Sequence, residues 1–408
     1  MLLCMCKIIN YKKMKGIELM KYNFDEIIDR DNTNSAKFDE LEEKFSRTDI
    51  IPMWIADMDF LNAKEIEDAI VKRAKHSIYG YTTRNEEYFK AVKNWQKYKN
   101  NWDVDIKYMS HAPGVLPMLA NIFHAFAKEG DKVIIQPPVF SEFKKVVKNW
   151  GLEVINNPLI EENNNYYIDF EDLNKKAKDA KFMIFCNPHN PVGRVWRKDE
   201  IKKVSEICLK NDVLMISDEM YSDIVLFGNK HVPTASISKE IAKNTITCTS
   251  IGKTFNIPGL KVATCIFPTL EAKEKYDWIL EKLEMKRSDC FSVVANQVAM
   301  NEGKEWFNQV IEYLEDNIRF AEEYITKNIP NILFSKIEGT YLLWLDCRKL
   351  NLSQDELVNF FVNNAKLALN DGSAFGDEGI GYMRMNLGCP RSILRQALTQ
   401  LKDAVNSL

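Results

Sequence analysis

Short apolar runs recur through the middle of the chain, at Asp131 to Gln136, Lys181 to Phe185, Asp212 to Ser217, Thr245 to Thr249 and Val262 to Phe267. Each reads as a strand buried on both faces, and helical spacing fills the segments between them. That alternation predicts an α/β domain, a mostly parallel sheet with helices on both faces. Asn62 to Lys75 has helical spacing, as does the apolar stretch that follows His111-Ala112-Pro113-Gly114-Val115-Leu116-Pro117-Met118 and runs to Ala127. From Glu271 to Ile329 the pattern is helical, with no glycine or proline between Pro268 and Gly303, and this run is expected to cross into a second domain. There Gly339 to Asp346 and Gly381 to Gly388 predict two strands with flanking helices. No internal repeat or low-complexity tract interrupts the pattern.

Composition narrows the partners more than the fold. At 408 residues the chain is long enough for more than one core. A net charge of -3, from 55 basic and 58 acidic residues, gives no electrostatic case for nucleic acid or an anionic membrane, so the expected partner is a small molecule. No apolar run approaches bilayer length, and a soluble protein is expected. Nine cysteines scattered from Cys4 to Cys389 without a CxxC pair fit reduced thiols in a cytoplasmic protein, and neither a disulfide framework nor a metal site is expected. Met1 to Glu18 has no long apolar core of a secretory signal, and residues 1–19 are expected to be a poorly ordered extension.

The candidate chemistry gathers where strands end. Asn190, in the loop Cys186-Asn187-Pro188-His189-Asn190-Pro191-Val192-Gly193-Arg194, Asp218 and Lys253 each follow an apolar run, and ligands collect beyond the carboxyl ends of such strands. Lys253, in Ser250-Ile251-Gly252-Lys253-Thr254-Phe255-Asn256, could form a Schiff base with a carbonyl cofactor; most lysines are merely solvated. Pro113-Gly114 opens a helix whose free N–H groups suit a phosphate, although many such turns bind nothing. Phe140 could stack on a flat ring or pack in the core. Tyr79 and Tyr81, flanking Gly80, read locally as a half-buried aromatic pair. Arg384 stands in an apolar strand and needs an anion, either an internal carboxylate or that of a ligand.

The order Asn190-Pro191-x-Gly193, Asp218-x-x-Tyr221, Ser250-x-x-Lys253 and a late Arg384 resembles the fold-type I pyridoxal-phosphate enzymes of the aminotransferase class I/II group. Finer motifs are similar to the MalY/PatB group, the cystathionine β-lyase-like C-S lyases: Trp54-Ile55-Ala56-Asp57-Met58-Asp59-Phe60, Tyr79-Gly80-Tyr81-Thr82, Lys253-Thr254-Phe255-Asn256-Ile257 and Asn386-Leu387-Gly388-Cys389-Pro390-Arg391-Ser392. The resemblance runs from about Tyr22 to the C-terminus. It implies a large domain on a mostly parallel seven-stranded sheet at residues 53–295, a smaller α+β domain at 296–408, and a segment at 20–52 packed with the smaller domain.

The resemblance also implies roles. Pyridoxal 5'-phosphate would be held by Lys253, with Asp218 on its ring nitrogen, Tyr221 and Asn190 on its phenolic oxygen and Phe140 on its face. Its phosphate would take the turn at Gly114, Val115 and Leu116, Ser250 and Lys261, with Tyr81 reaching in from the second subunit of a homodimer. Arg384, Asn190 and Ala56 would receive the amino-acid substrate. Three positions depart from the expected pattern: Phe140 where tyrosine is commoner in the lyases, Tyr221 where the lyases often carry histidine, and Lys261 where the wider superfamily commonly carries arginine. The activity implied is a β-lyase that splits L-cystathionine or related L-cysteine S-conjugates to a thiol, pyruvate and ammonia. An aminotransferase would use the same residues, and a role through protein contact is a third possibility, since one member of the group regulates a transcription activator.

Overall fold

The computed structural model describes residues 21–408, so the expectation for residues 1–19 lies outside the described residues. Seven strands form the larger sheet: β1 (Met109–Ala112), β2 (Lys132–Ile135), β3 (Glu153–Asn156), β4 (Phe182–Cys186), β5 (Leu214–Asp218), β6 (Thr245–Thr249) and β7 (Ala263–Ile266). Their spatial order is β1-β7-β6-β5-β4-β2-β3. Pairing is parallel from β6 to β3, whereas β7 runs antiparallel to both β6 and β1.

The period of two along β4 divides the core. Phe182, Ile184 and Cys186 face one side with Phe123, Phe143 and Val147, while Met183 and Phe185 face the other with Trp196, Ile201 and Val204. Both faces are covered, so the strand reads as an unbroken apolar run rather than an alternation. The β4–β5–β6 register sets Cys186 beside Asp218 and Asp218 beside Cys248, at one edge of the sheet.

Helices α1 (Lys64–Lys75), α2 (Glu86–Asn100) and α3 (Val115–Phe126) precede the parallel strands. The helical run expected from 271 to 329 is three helices: α4 (Leu270–Lys282), α5 (Cys290–Glu302) and α6 (Lys304–Asn328). Glu284 turns into the left-handed region, and Asp289 Oδ1 then accepts the N–H groups of Phe291 and Ser292 at 3.0 and 2.8 Å, which starts α5 afresh. Apolar periodicity carries no trace of such a cap. The boundary expected at 295/296 falls inside α5.

A second, antiparallel sheet follows, built from β8 (Leu333–Phe334), β9 (Leu342–Asp346), β10 (Asn370–Asp371) and β11 (Tyr382–Asn386) in the order β8-β9-β11-β10. It is accompanied by α6 and by α7 (Arg391–Val405), giving an α+β unit. Residues 21–52 lie along this unit: Phe24 packs on Trp306 and Tyr313, and Ile51–Pro52 pairs in parallel with Leu367–Ala368. No helix among the described residues is long and apolar enough to cross a membrane.

The seam between the two sheets is hydrogen-bonded rather than merely apolar. Gly193, at φ +76°, brings its carbonyl to the N–H groups of Glu338 and Gly339 at 2.8 and 3.0 Å; a Cβ there would sit 3.2 Å from the Ile337 backbone. Beside it the buried Arg194 donates to Glu338 Oε2 at 3.0 Å, to both carboxylate oxygens of Glu200 at 3.1 and 3.0 Å, and to the Tyr166 carbonyl at 2.6 Å. Arg194→Met would strand two largely buried carboxylates. Denaturant unfolding is expected to show a loss of about 3–5 kcal/mol, the usual cost of removing one partner of a buried ion pair.

Candidate functional site

A cavity of about 410 Å³ opens where β4, β5 and β6 end and β11 faces them across the seam. Every expected site residue lines it except Leu116 and Tyr81. At its floor, Asp218 closes β5 and turns Oδ1 to the Met220 N–H at 3.1 Å. Burial pushes its carboxyl up to about 7, with the neighbouring Glu219 adding to the shift and Met220 and Lys253 opposing it. Lys253 lies on the turn after β6, and its Nζ donates to the Ala56 carbonyl. Burial brings this amine down to about 8. The ammonium sits 6.0 Å from the centroid of the Tyr221 ring.

Arg384, from β11, is buried, and burial lowers it to about 10. Its Nη1 donates to Asn190 Oδ1 at 3.0 Å, and its Nη2 to the Trp54 carbonyl at 3.1 Å and Asn370 Oδ1 at 2.5 Å, while Nε has no partner. None of these acceptors is a carboxylate. Of the two anions that the sequence left open, the internal one is therefore absent among the described residues, and the guanidinium lines the cavity with neutral partners alone.

At the opposite end Gly114, at φ +138°, turns the chain into α3. No side chain caps that helix, and Pro117 brings no N–H, so Val115 and Leu116 present the free donors of the first turn. Leu116 does not itself line the cavity and contributes only its backbone N–H to the helix end that does. Ser250 Oγ accepts from the Gly252 N–H at 3.0 Å and donates to the Val262 carbonyl at 2.7 Å; Lys261 is exposed at the cavity edge. Phe140 is half-buried, its ring edge-on to Phe143 at 5.4 Å and open to the cavity on another side, so it serves the core and the site together. The half-buried pair expected at Tyr79 and Tyr81 is not observed. Tyr79 is 59% and Tyr81 97% exposed, Tyr79 lying against the Phe291 ring at 5.7 Å between centroids.

Several residues of the site had no local signal. Tyr341 is fully buried, donates to the Ala56 carbonyl at 2.9 Å and meets the Tyr221 ring edge-on at 5.8 Å. Asn370 reaches Arg384 only because β10 and β11 place the two residues opposite each other. Asn386 donates to the carbonyls of Ile55 and Asp57, both at 2.6 Å, and so fixes the loop whose Ala56 carbonyl receives Lys253. Tyr341 falls within the strand expected at Gly339 to Asp346, but nothing local to it marks it as part of the site.

Residues 48–401 match the family described as aminotransferase class I and II. The chain belongs to this family. It is 37% identical over 386 residues to the cystathionine beta-lyase PatB of Bacillus subtilis, covering 94% of this chain and 100% of that one. Among solved structures, a PLP-bound protein from Clostridium difficile 630 is 47% identical with a TM-score of 0.93, and cystalysin from Treponema denticola, which contains pyridoxal 5'-phosphate, is 34% identical with a TM-score of 0.92. In both cases the match covers 95% of this chain and 100% of the other.

The cavity fits the group that these class I and II relatives hold. Free N–H donors at one end suit a phosphate, a buried carboxylate suits a cationic ring nitrogen, and an amine of lowered proton affinity suits an aldehyde. In cofactor-free protein the Met220 N–H and Lys253 do not offset the burial of Asp218, and its charge opposes folding. A carboxyl raised from 3.8 to about 7 keeps its proton in the folded state after the unfolded chain has lost it, so stability falls as pH rises through that window. Asp218→Asn is expected to abolish this fall, measured as denaturation midpoints of the cofactor-free protein on either side of the window.

Proposed function

We propose that this pyridoxal-phosphate-dependent enzyme is a C-S β-lyase, cleaving L-cystathionine or related L-cysteine S-conjugates to a thiol, pyruvate and ammonia. The observation that carries the reading is end-to-end similarity to a cystathionine beta-lyase, and the side chains of the cavity supply what the reaction needs. Bound pyridoxal phosphate provides an electron sink for the substrate's Cα.

Lys253 would be the residue that holds the cofactor's aldehyde and would serve as the base that takes the substrate's Cα proton. An amine brought down to about 8 by burial is neutral in an appreciable fraction of molecules near neutral pH, as a base must be. Asp218 gains by facing a protonated ring nitrogen, since that cation relieves the cost of its buried charge. Tyr221 and Asn190 would meet the ring oxygen, and Phe140 would cover the ring face. Val115 and Leu116 N–H groups, with Ser250 and Lys261, would hold the phosphate. Arg384, which has no carboxylate partner within the chain, would fork onto the substrate carboxylate beside Asn190 and Ala56 and orient the Cα–H bond. The electrons left at Cα then form the Cα–Cβ double bond as the Cβ–S pair departs with the thiolate. The released aminoacrylate hydrolyses to pyruvate and ammonia.

We also read the active form as a homodimer in which Tyr81 reaches its partner's phosphate end, a reading supported by the exposed ridge of Ile78, Tyr79 and Tyr81 at 67%, 59% and 97%. The seven described cysteines, all buried free thiols, suit a cytoplasmic setting. An aminotransferase is the second reading, favoured by tyrosine at 221, where the lyases often carry histidine.

With L-cystathionine and no keto-acid acceptor, pyruvate and thiol are expected to appear together, and Lys253→Ala to lose both along with the visible absorbance band. Conversion to the pyridoxamine form without pyruvate would instead identify the aminotransferase. Arg384→Lys keeps the charge but loses the fork, and a rise in KM on the order of 10- to 100-fold is expected in steady-state kinetics.

A further inference from the structure

Behind the cavity wall lies a second buried carboxylate. Asp223 is 3% exposed and follows Tyr221 on the segment that leaves β5. Its Oδ2 accepts from Thr254 Oγ1 at 2.7 Å and from Trp95 Nε1 at 2.8 Å, and its Oδ1 is buried without a partner. Trp95, on α2, and Thr254 are 2% and 1% exposed. Burial pushes the Asp223 carboxyl up; Lys99, itself lowered by burial with its ammonium 4.1 Å from the Phe307 ring centroid, acts in the opposite sense. A carboxylate placed so deep, short of partners, is costly to keep where a neutral side chain would pack. No reacting group of the cavity touches it.

What Asp223 touches is the residue next to Lys253. Residues 251–255 make a single helical turn, closed by the Phe255 N–H to the Ile251 carbonyl at 3.0 Å, and in such a turn successive side chains project about 100° apart. Fixing the β-branched Thr254 therefore fixes the direction in which Lys253 leaves the turn. On the far side Asn256 holds the same turn by accepting the Met58 N–H at 2.8 Å and donating to the Met58 carbonyl at 2.7 Å. Asn256 ties the turn to the loop that carries Ala56. Asp223 ties it to the segment that carries Asp218 and Tyr221. Charge-assisted hydrogen bonds are shorter and stronger than neutral ones, which is a reason to use aspartate here rather than asparagine.

We propose that Asp223 is a positioning residue: through Thr254 it holds Lys253 in line with the cofactor's aldehyde and the substrate's Cα, with Trp95 fixing the carboxylate from behind. This rests on reading Lys253 as attachment point and base, a role common to the lyase and the aminotransferase.

The test uses the full-length chain with Thr254→Val, Thr254→Ser and Asp223→Asn, each with two readouts. In cofactor-free protein, the rate of attachment of added pyridoxal phosphate is followed by absorbance. In the loaded protein, exchange of the substrate's Cα hydrogen for solvent deuterium is followed by NMR. Thr254→Val is expected to slow both by about tenfold or more, the scale set by small misplacements of a reacting group, with the substrate's KM nearly unchanged. Thr254→Ser, which keeps the hydroxyl, is expected to restore both rates, and Asp223→Asn to fall between. If Thr254→Val does not fold, Asp223→Asn read against Thr254→Ser decides in the same way. Attachment and exchange at the native rate in a variant that has only lost thermal stability would overturn the proposal, as would a Thr254→Ser protein as slow as Thr254→Val. Exchange without pyruvate would count against the lyase reading alone.

Discussion

Burial of charge is the constraint on which this structure turns. Asp218, Lys253 and Arg384 share one cavity away from bulk water, and desolvation drives each toward its neutral form, to about 7, 8 and 10 respectively. Left alone, such groups oppose folding; set opposite a phosphorylated ring and an amino-acid carboxylate, each gains a partner that it lacks within the chain. The unfilled Nε of Arg384 and the raised carboxyl of Asp218 are two aspects of that single condition.

Holding these charges apart and correctly aimed falls to the surrounding backbone. Asp218 and Lys253 come from neighbouring strands of the large sheet, whereas Arg384 comes from the small one, so the site exists only if the two units keep their register. The hydrogen bonds that the Gly193 carbonyl accepts from the N–H groups of residues 338 and 339 and the buried Arg194–Glu338 pair join the units a few residues from Asn190, which in turn meets Arg384 at 3.0 Å. One carbonyl, that of Ala56, receives both Lys253 and Tyr341, and Asn386 fixes the loop that presents it. Asparagine recurs in these supports because it can donate and accept at once without adding charge to a site already crowded with it.

The comparison with known proteins agrees with this geometry without choosing between its two chemistries. The roles proposed for Lys253, Asp218 and Arg384 would serve β-elimination and amino transfer alike. What differs between them is the fate of the electrons once the proton has left, and that depends on the leaving group at Cβ and on small differences in how the cavity guides reprotonation.

Local sequence determined five of the seven strands of the large sheet, missing the edge strands β1 and β3, together with the helix that opens at Val115 and the placement of Asn190, Asp218 and Lys253 at strand ends. Apolar runs bounded by turn residues are a local property, and strand ends in such sheets face a common edge. The recognition motifs extended this to the cofactor and to Arg384. Tertiary pairing alone decided the rest: that β7 runs against its neighbours, that the run from 271 to 329 breaks at the Asp289 cap, that Arg384 has only neutral partners, and that Tyr341, Asn370 and Asp223 stand around the site. Those facts join residues far apart in the chain, and hydrophobic periodicity, which sees only a residue and its near neighbours, carries no information about them.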